Sequence, residues 1–418
     1  MTAKITSLGA GLMERTGRMS SARKYALLFI LGLFVLSLVQ LIAGTKQLTA
    51  PGTWGAALRL TVPIMLAALG GLYSERSGVI NIGLEGMMIA GTWFGAWAGW
   101  QYGPWAGIAF GLIGGALFGL IHAIATVTFA VDQIVSGVAI NILAAGSMRF
   151  LSSALYTADT GGGATQSPRI QGFIGTFNVP LVSEWLGALS DRGWFFISDV
   201  AGIGAGMTTR VSWFTLLALV LIPATWWLLW RTVWGLRLRS AGENPWAAES
   251  LGVPVLRMKY WGVVISGALA GMGGSYLVVV QAGIYREGMT AGRGFIGLGA
   301  MIFGNYSPFG LLAGSGIFGY SDALRLRQDS VHAILLLLAI GLMMFGAYSL
   351  FKRNYQGSAT QGVFAMLFFI WWFTTDDVPG QIVTATPYIV TLLVLMIASQ
   401  RLRFPAADGV KYRRGEAH

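Results

Sequence analysis

The stretch SERSGVINIGLEG, residues 74–86, lies between two apolar runs, 55–73 and 83–100, each near the length of a bilayer crossing. It places Glu75, Arg76, Asn81 and Glu85 beside or inside hydrocarbon, with Gly78 and Gly83 among them. Asn81 and Glu85 are four residues apart, on one face of a helix. Ionisable groups are costly in lipid, so they pair or line a wet cavity. Two readings stand. Either this is a short cytoplasmic loop with Glu75 and Arg76 solvated, or a helix broken within the membrane, whose freed backbone and polar side chains face a path for solute. Both make the chain an all-α polytopic membrane protein.

Composition supports that class. Of 418 residues, 55% are hydrophobic and 11% charged, about half the charge of a soluble domain. There are no cysteines, which excludes disulfides and thiolate metal sites, and His122, His332 and His418 are too scattered for a metal cluster. The net charge of +11 collects beside the apolar segments, which points to lipid and membrane topology and away from nucleic acid.

Twelve apolar passes can be read, near 25–43, 55–73, 83–100, 104–127, 133–153, 212–230, 259–280, 293–304, 308–324, 331–351, 358–374 and 381–399. The segment 293–304 is too short to cross alone and reads as a half-helix or part of a re-entrant unit. Arg and Lys cluster before the first pass, at Arg231, Arg237, Arg239, Arg257 and Lys259, after the tenth pass and in the C-terminal tail. Alternating passes put these groups on one side, the cytoplasm. The expected division is a cytoplasmic tail 1–24, a membrane domain 25–400 and a cytoplasmic tail 401–418, with 154–211 external and 232–258 cytoplasmic. Arg325 and Arg327 fall outside and fit the scheme least well.

Gly111, Gly115 and Gly119 recur every four residues, as do Gly267 and Gly271, and Gly310 and Gly314. Small residues at that spacing let helix backbones approach in lipid, so tight packing is preferred over a direct substrate role. GLEGMMI (83–89) also resembles GLGAMI (297–302), each before a turn and a Gly-rich pass, and the two run in opposite directions. That is the sign of an inverted repeat with a midplane site between halves.

Three further segments carry polar groups. In DQIVSGVAINILAAG (132–146), Gln133, Gly137 and Asn141 form one stripe, and helix–helix bonding and substrate contact are equal readings for Asn141. In AGRGFIGLGAMIFGNYSPFG (291–310), Arg293 and Phe295 open the short pass and Asn305 closes it; Phe295 is either an interfacial anchor or a stacking surface for a planar ligand. WGLRLRSAGENPWAAESLGVP (234–254) is too polar to span. Asn244-Pro245 suits a helix start and Gly252 its end, giving a short helix that lies on lipid or in a groove of a partner.

Taken with PIMLAALGGLYSERSGVINIGLEGMMIAG, TPYIVTLLVL and the tail PAADGVKY, these segments resemble, in order, the permeases of ribose and branched-chain amino-acid type ABC importers, most closely their nucleoside branch. The likeness covers about 55–330 and 381–412. It implies a type II importer fold of around ten helices with related halves, broken helices and a central path. The implied partners are a cytoplasmic ATPase, a second permease subunit (a sister or itself) and an extracytoplasmic substrate-binding lipoprotein. The resemblance assigns Glu243, Asn244, Pro245, Ala247, Ala248 and Gly252 to ATPase coupling, and Glu75, Arg76, Asn81, Glu85, Gln133, Asn141, Arg293, Phe295 and Asn305 to segments around the path. Three regions depart from the family's pattern: two extra passes at 331–375, a long loop near 191–210 and a long N-terminal tail.

The chain lacks a P-loop: none of Lys4, Lys24, Lys46, Lys259, Lys352 and Lys411 follows a glycine. It is therefore expected to hold no cofactor and to leave ATP to a partner. The same lack of paired carboxylates with His, Ser–His pairs or metal spacing argues against an enzyme. The rival reading is a secondary transporter or channel, with Glu75, Glu85 and Asp322 as ion-coupling groups. It gives the polar helix after Gly235 no purpose. The charge scheme is testable because there is no native cysteine: Thr165→Cys should label in intact cells with an impermeant thiol reagent, and labelling only after permeabilisation would overturn the orientation.

Overall fold

The computed structural model of the protein describes residues 21–376, 378–382, 385, 402–413 and 415. The N-terminal tail to residue 20 and nearly all of the expected pass at 381–399 lie outside the described residues. The described chain is mostly helical. In order come α1 (Ser21–Ala43), α2 (Pro51–Arg76), α3 (Leu84–Tyr102), α4 (Pro104–Ala123), α5 (Gln133–Leu155), β1 (Thr176–Phe177), α6 (Val182–Asp191), α7 (Ile197–Thr208), β2 (Val211–Ser212), α8 (Trp213–Arg231), α9 (Val233–Glu243), α10 (Pro245–Ser250), α11 (Val255–Tyr276), α12 (Arg293–Phe303), α13 (Pro308–Arg325), α14 (Gln328–Phe351) and α15 (Tyr355–Thr374). Wide π turns extend α4 over Ile124–Thr128 and α11 over Leu277–Ala282.

Local chemistry sets many helix starts. Asp132 caps α5 by accepting from the Ile134 and Val135 amides. Ser212 caps α8, Thr232 caps α9 and Asn244 caps α10, each through its side-chain oxygen. Among the described residues, six helical stretches are long and apolar enough to cross a membrane: Pro51–Arg76, Pro104–Thr128, Gln133–Leu155, Trp213–Arg231, Val255–Ala282 and Val331–Phe351. The segment at 293–304 forms α12, whose 11 residues span about 16 Å, roughly half the hydrocarbon thickness.

The chain divides into two compact units. The smaller comprises residues up to 55, 179–209 and 323–386; the larger comprises 56–178, 210–322 and 387–418. The described parts of the two extra passes, the long loop and the N-terminal region, where the sequence departs from the family it resembles, all fall in the smaller unit save residue 210. There Gln40 Nε2 donates to Thr49 Oγ1 and to Asp199 Oδ1, both at 2.8 Å, and Thr49 Oγ1 donates to the same Asp199 oxygen at 2.9 Å. Arg327, the awkward cation of the charge scheme, donates to Gln47 Oε1. The segment 154–211 is more ordered than its Gly- and Ser-rich sequence suggests. It holds α6 and α7, and β1 pairs with β2 antiparallel.

In the larger unit α3, α4 and α11 pack backbone against backbone. A Cβ at Gly115 would overlap Gly267 O, one at Gly91 would overlap Gly271 O, and one at Gly271 would overlap Gly111 O. No apolar force draws helices together in lipid, so this approach is what lets dispersion hold them. Residues 163–170 form a strip against 283–287, with Ile170 N donating to Gly283 O at 2.9 Å and Glu287 N to Thr165 O at 2.8 Å. Since the obstacle is backbone, Gly115→Leu should cost more than the ~1–3 kcal/mol of ordinary overpacking. Detergent-solubilised Gly115→Leu should lose its monodisperse peak in size-exclusion chromatography, while Gly146→Leu, which points into open space, should keep it.

Candidate functional site

Three clusters in the larger unit collect the polar residues. The first surrounds a break between α2 and α3. Glu75 and Arg76 are the last residues of α2, and Glu75 is only 5% exposed, so the solvated-loop reading fails. The chain then runs without helix to Leu84, and side chains from four helices take up its backbone groups. Lys259 Nζ donates to Gly78 O at 2.8 Å and Ser74 Oγ to Val79 O at 2.7 Å. Ile80 N donates to Gln133 Oε1 at 2.6 Å, and Ile80 O faces His122 Nε2 at 3.2 Å. Asn141 uses both ends of its amide: Oδ1 accepts from Gly86 N at 2.7 Å and Nδ2 donates to Ile82 O at 3.1 Å. Asn81 is fully buried; its Nδ2 donates to Ser266 Oγ at 2.8 Å, and its Oδ1 has no partner among the described residues.

The second cluster is the N-terminus of α12. Glu85 Oε1 accepts from Gly292 N at 2.9 Å and Oε2 from Gly294 N at 2.6 Å, so one carboxylate neutralises the positive end of the half-helix. A side chain at Gly294 would strike the Glu85 backbone. Arg293 Nη2 pairs with Asp322 Oδ2 at 2.7 Å in a nearly buried ion pair. Phe295 next to it is 46% exposed.

The third cluster lies at the end carrying residues 232–258. Gly242 presses on the backbone of Arg76 and Gly78, so the polar loop touches the break directly. Arg76 donates from Nη2 to Tyr306 O at 2.9 Å and faces Glu243 Oε1 at 3.8 Å. Asn305 and Tyr306 both sit at positive φ, +51° and +55°, in the tight turn between α12 and α13. Asn305 Oδ1 accepts from Arg403 N at 2.7 Å. In α10, Asn244 Oδ1 accepts from Ala247 N at 3.0 Å; Pro245 and Ala248 are buried, Glu243 and Ala247 exposed. Gly252 follows at φ +81°. Leu251, beside it, is 85% exposed.

A family model described as "Branched-chain amino acid transport system / permease component" matches residues 55–348. The chain belongs to that family. The permease is 34% identical over 373 residues to the guanosine ABC transporter permease protein NupQ of Bacillus subtilis, covering 86% of this chain and 96% of the relative. It is 32% identical over 364 residues to the nucleoside ABC transporter permease protein NupC of Lactococcus lactis, covering 84% and 93%. No solved structure matches. Membership makes the chain a multi-pass permease subunit of an ABC importer of the bacterial inner membrane. It is not itself an enzyme; ATP is hydrolysed by a separate chain. That decides against a secondary transporter or channel.

Of the permease's sequence-derived residues, Asn81, Gln133 and Asn141 meet around the break, Glu85 and Arg293 at α12, and Glu75, Arg76, Asn305 and Glu243 at the polar loop. Phe295, the aromatic among the nine path residues, is about half exposed. Sequence reasoning passed over Lys259, His122, Ser266 and Leu251. The first three are single polar residues in apolar runs, a visible signal; Leu251 is an apolar residue in a polar loop. Asn141→Leu would strand the Gly86 N–H and the Ile82 carbonyl, each costing about 1–3 kcal/mol when buried. Folded protein, measured by thermal stability in detergent, and uptake should therefore fall together; loss of uptake at unchanged stability would make Asn141 a solute contact instead.

Proposed function

We propose that the permease forms the translocation path for nucleosides, in a transporter with a cytoplasmic ATPase, a second permease subunit and an extracytoplasmic binding lipoprotein. The observation that carries this reading is likeness over nearly the full length of two relatives, one named for guanosine and one for nucleosides. The chain holds no cofactor of its own and crosses the membrane ten to twelve times, the six strongly apolar stretches being joined by shorter or more polar ones. Residues 232–258 are the coupling loop: α10 docks on the ATPase with Ala247 and Leu251 outward, while its buried Pro245 and Ala248 hold it to the permease. Phe295, at the head of the half-helix, supplies a face for a base to stack on. The other path residues position that helix and the break.

Labelled uptake in a deletion strain tests the reading. Unlabelled nucleosides should compete and sugars should not; competition by sugars alone would assign the other branch of cargo. Phe295→Ala should raise the apparent KM about tenfold with little change in maximal rate, the scale of one base–aromatic stack.

A further inference from the structure

The C-terminal segment 402–413 has no regular helix or strand, yet Ala407 and Tyr412 are only 5% and 6% exposed. Its bonds go to several separate elements. Arg403 N donates to Asn305 Oδ1 at 2.7 Å, in the turn between α12 and α13. Ala406 N donates to Glu243 Oε2 at 3.1 Å, and Ala407 N to Gly242 O at 2.9 Å, both in the polar loop. The Tyr412 ring stands edge-on to Trp246 of α10 with centroids 6.0 Å apart. Gly409 packs on Ile80 of the break. The Asp408 carboxyl lies beside the Glu75 carboxyl at the end of α2.

The loop also reaches the Asn305–Tyr306 turn through Arg76, which donates to Tyr306 O and approaches Glu243 at 3.8 Å. That turn holds two successive non-glycine residues at positive φ. Such strain persists only where the surroundings over-determine it, and Arg403 is one of the groups that do so.

We propose that residues 402–413 are a strap making the coupling loop, the break after α2 and the Asn305–Tyr306 turn move as one body, so that it is needed to couple ATP hydrolysis to transport but not to dock the ATPase. The inference rests on the reading that the loop at 232–258 meets the ATPase. A loop pulled by a partner would otherwise slide over the Arg76–Gly78 backbone, which it touches by packing. The strap converts that contact into hydrogen bonds to both moving elements.

Asp408 is the central tie. Two carboxyls can share a hydrogen bond only when one keeps a proton. Burial holds Asp408 up to about 7, although Lys259 and Arg76 oppose it. The groups facing it are Glu75 and Arg76 from α2, Lys259 from α11 and Tyr306 from the turn, with Arg239 and Glu243 of α9 beyond Arg76. A carboxyl raised in the docked state stabilises docking fully below its ordinary 3.8, and that stabilisation is lost as pH climbs to about 7 and is flat above. The strap therefore loosens towards alkaline pH.

The test uses the full transporter in proteoliposomes and compares uptake per ATP hydrolysed with ATPase co-purification. Asp408→Ala should reach the membrane and retain the ATPase, yet lose uptake per ATP about tenfold, the usual scale of coupling between sites. Asp408→Asn, whose amide can donate to Glu75 without a shared proton, should recover most of it and remove the decline between about pH 5 and pH 7. A chain ending at residue 401 should behave as Asp408→Ala does. Unchanged uptake per ATP in Asp408→Ala overturns the proposal; so does loss of ATPase co-purification, which would make the strap a docking element, and so does failure of Asp408→Ala to reach the membrane, which would make it structural only. The docking reading stands or falls separately: Glu243→Arg with Ala247→Trp should release the ATPase, and normal co-purification there removes the loop from the docking surface whatever the strap does.

Discussion

Hydrocarbon offers no partner to a backbone N–H or C=O, and the rest of the larger unit is organised around that constraint. The chain leaves helix between Arg76 and Leu84, and six of the backbone groups near the break would be orphaned there without side chains to meet them. Ser74, His122, Gln133, Asn141 and Lys259 meet them. These side chains come from four helices, so the break is rigid only when α2, α4, α5 and α11 are all in place. The glycine contacts serve the same end: a break stapled at 2.6–3.2 Å tolerates little separation of the helices that carry the staples.

Several of the polar residues read from the sequence have backbone partners within the protein. Asn141 bonds backbone through both ends of its amide and Gln133 through its oxygen, and Glu85 turns both oxygens to the head of α12. A half-helix inside a bilayer needs its positive end neutralised, and a carboxylate on the next helix does so without a bound ion. Arg293 is matched by Asp322 in the same neighbourhood, so the charges cancel locally. The free aromatic face of Phe295 is left as the feature with no structural creditor.

The polar end of the larger unit is joined to the break by contact of backbones. Gly242 lies on Arg76 and Gly78, so a displacement of the 232–258 loop reaches the broken helix without an intervening side chain. This economy explains why the loop is short, capped at Asn244 and closed at Gly252: a floppy loop would absorb the displacement.

The sequence by itself determined the membrane class, the break and the short helix, because hydropathy, polar residues amid apolar runs and the Asn-Pro and Gly signals act locally. It also located Asn81, Gln133 and Asn141 at the break, though not Lys259, His122 or Ser266 as their partners there. It did not tell scaffold from free surface: Asn141 read equally as a solute contact or a helix tie, since an amide's partner 55 or more residues away is invisible to spacing. Nor could it pair Asp408 with Glu75, Lys259 with Gly78 O or Arg403 with Asn305, because these meetings depend on how α2, α11, α12 and the C-terminal segment converge. The gathering of 21–55, 179–209 and 323–376 into a second unit was likewise decided only in three dimensions, where apolar faces far apart in the chain found one another.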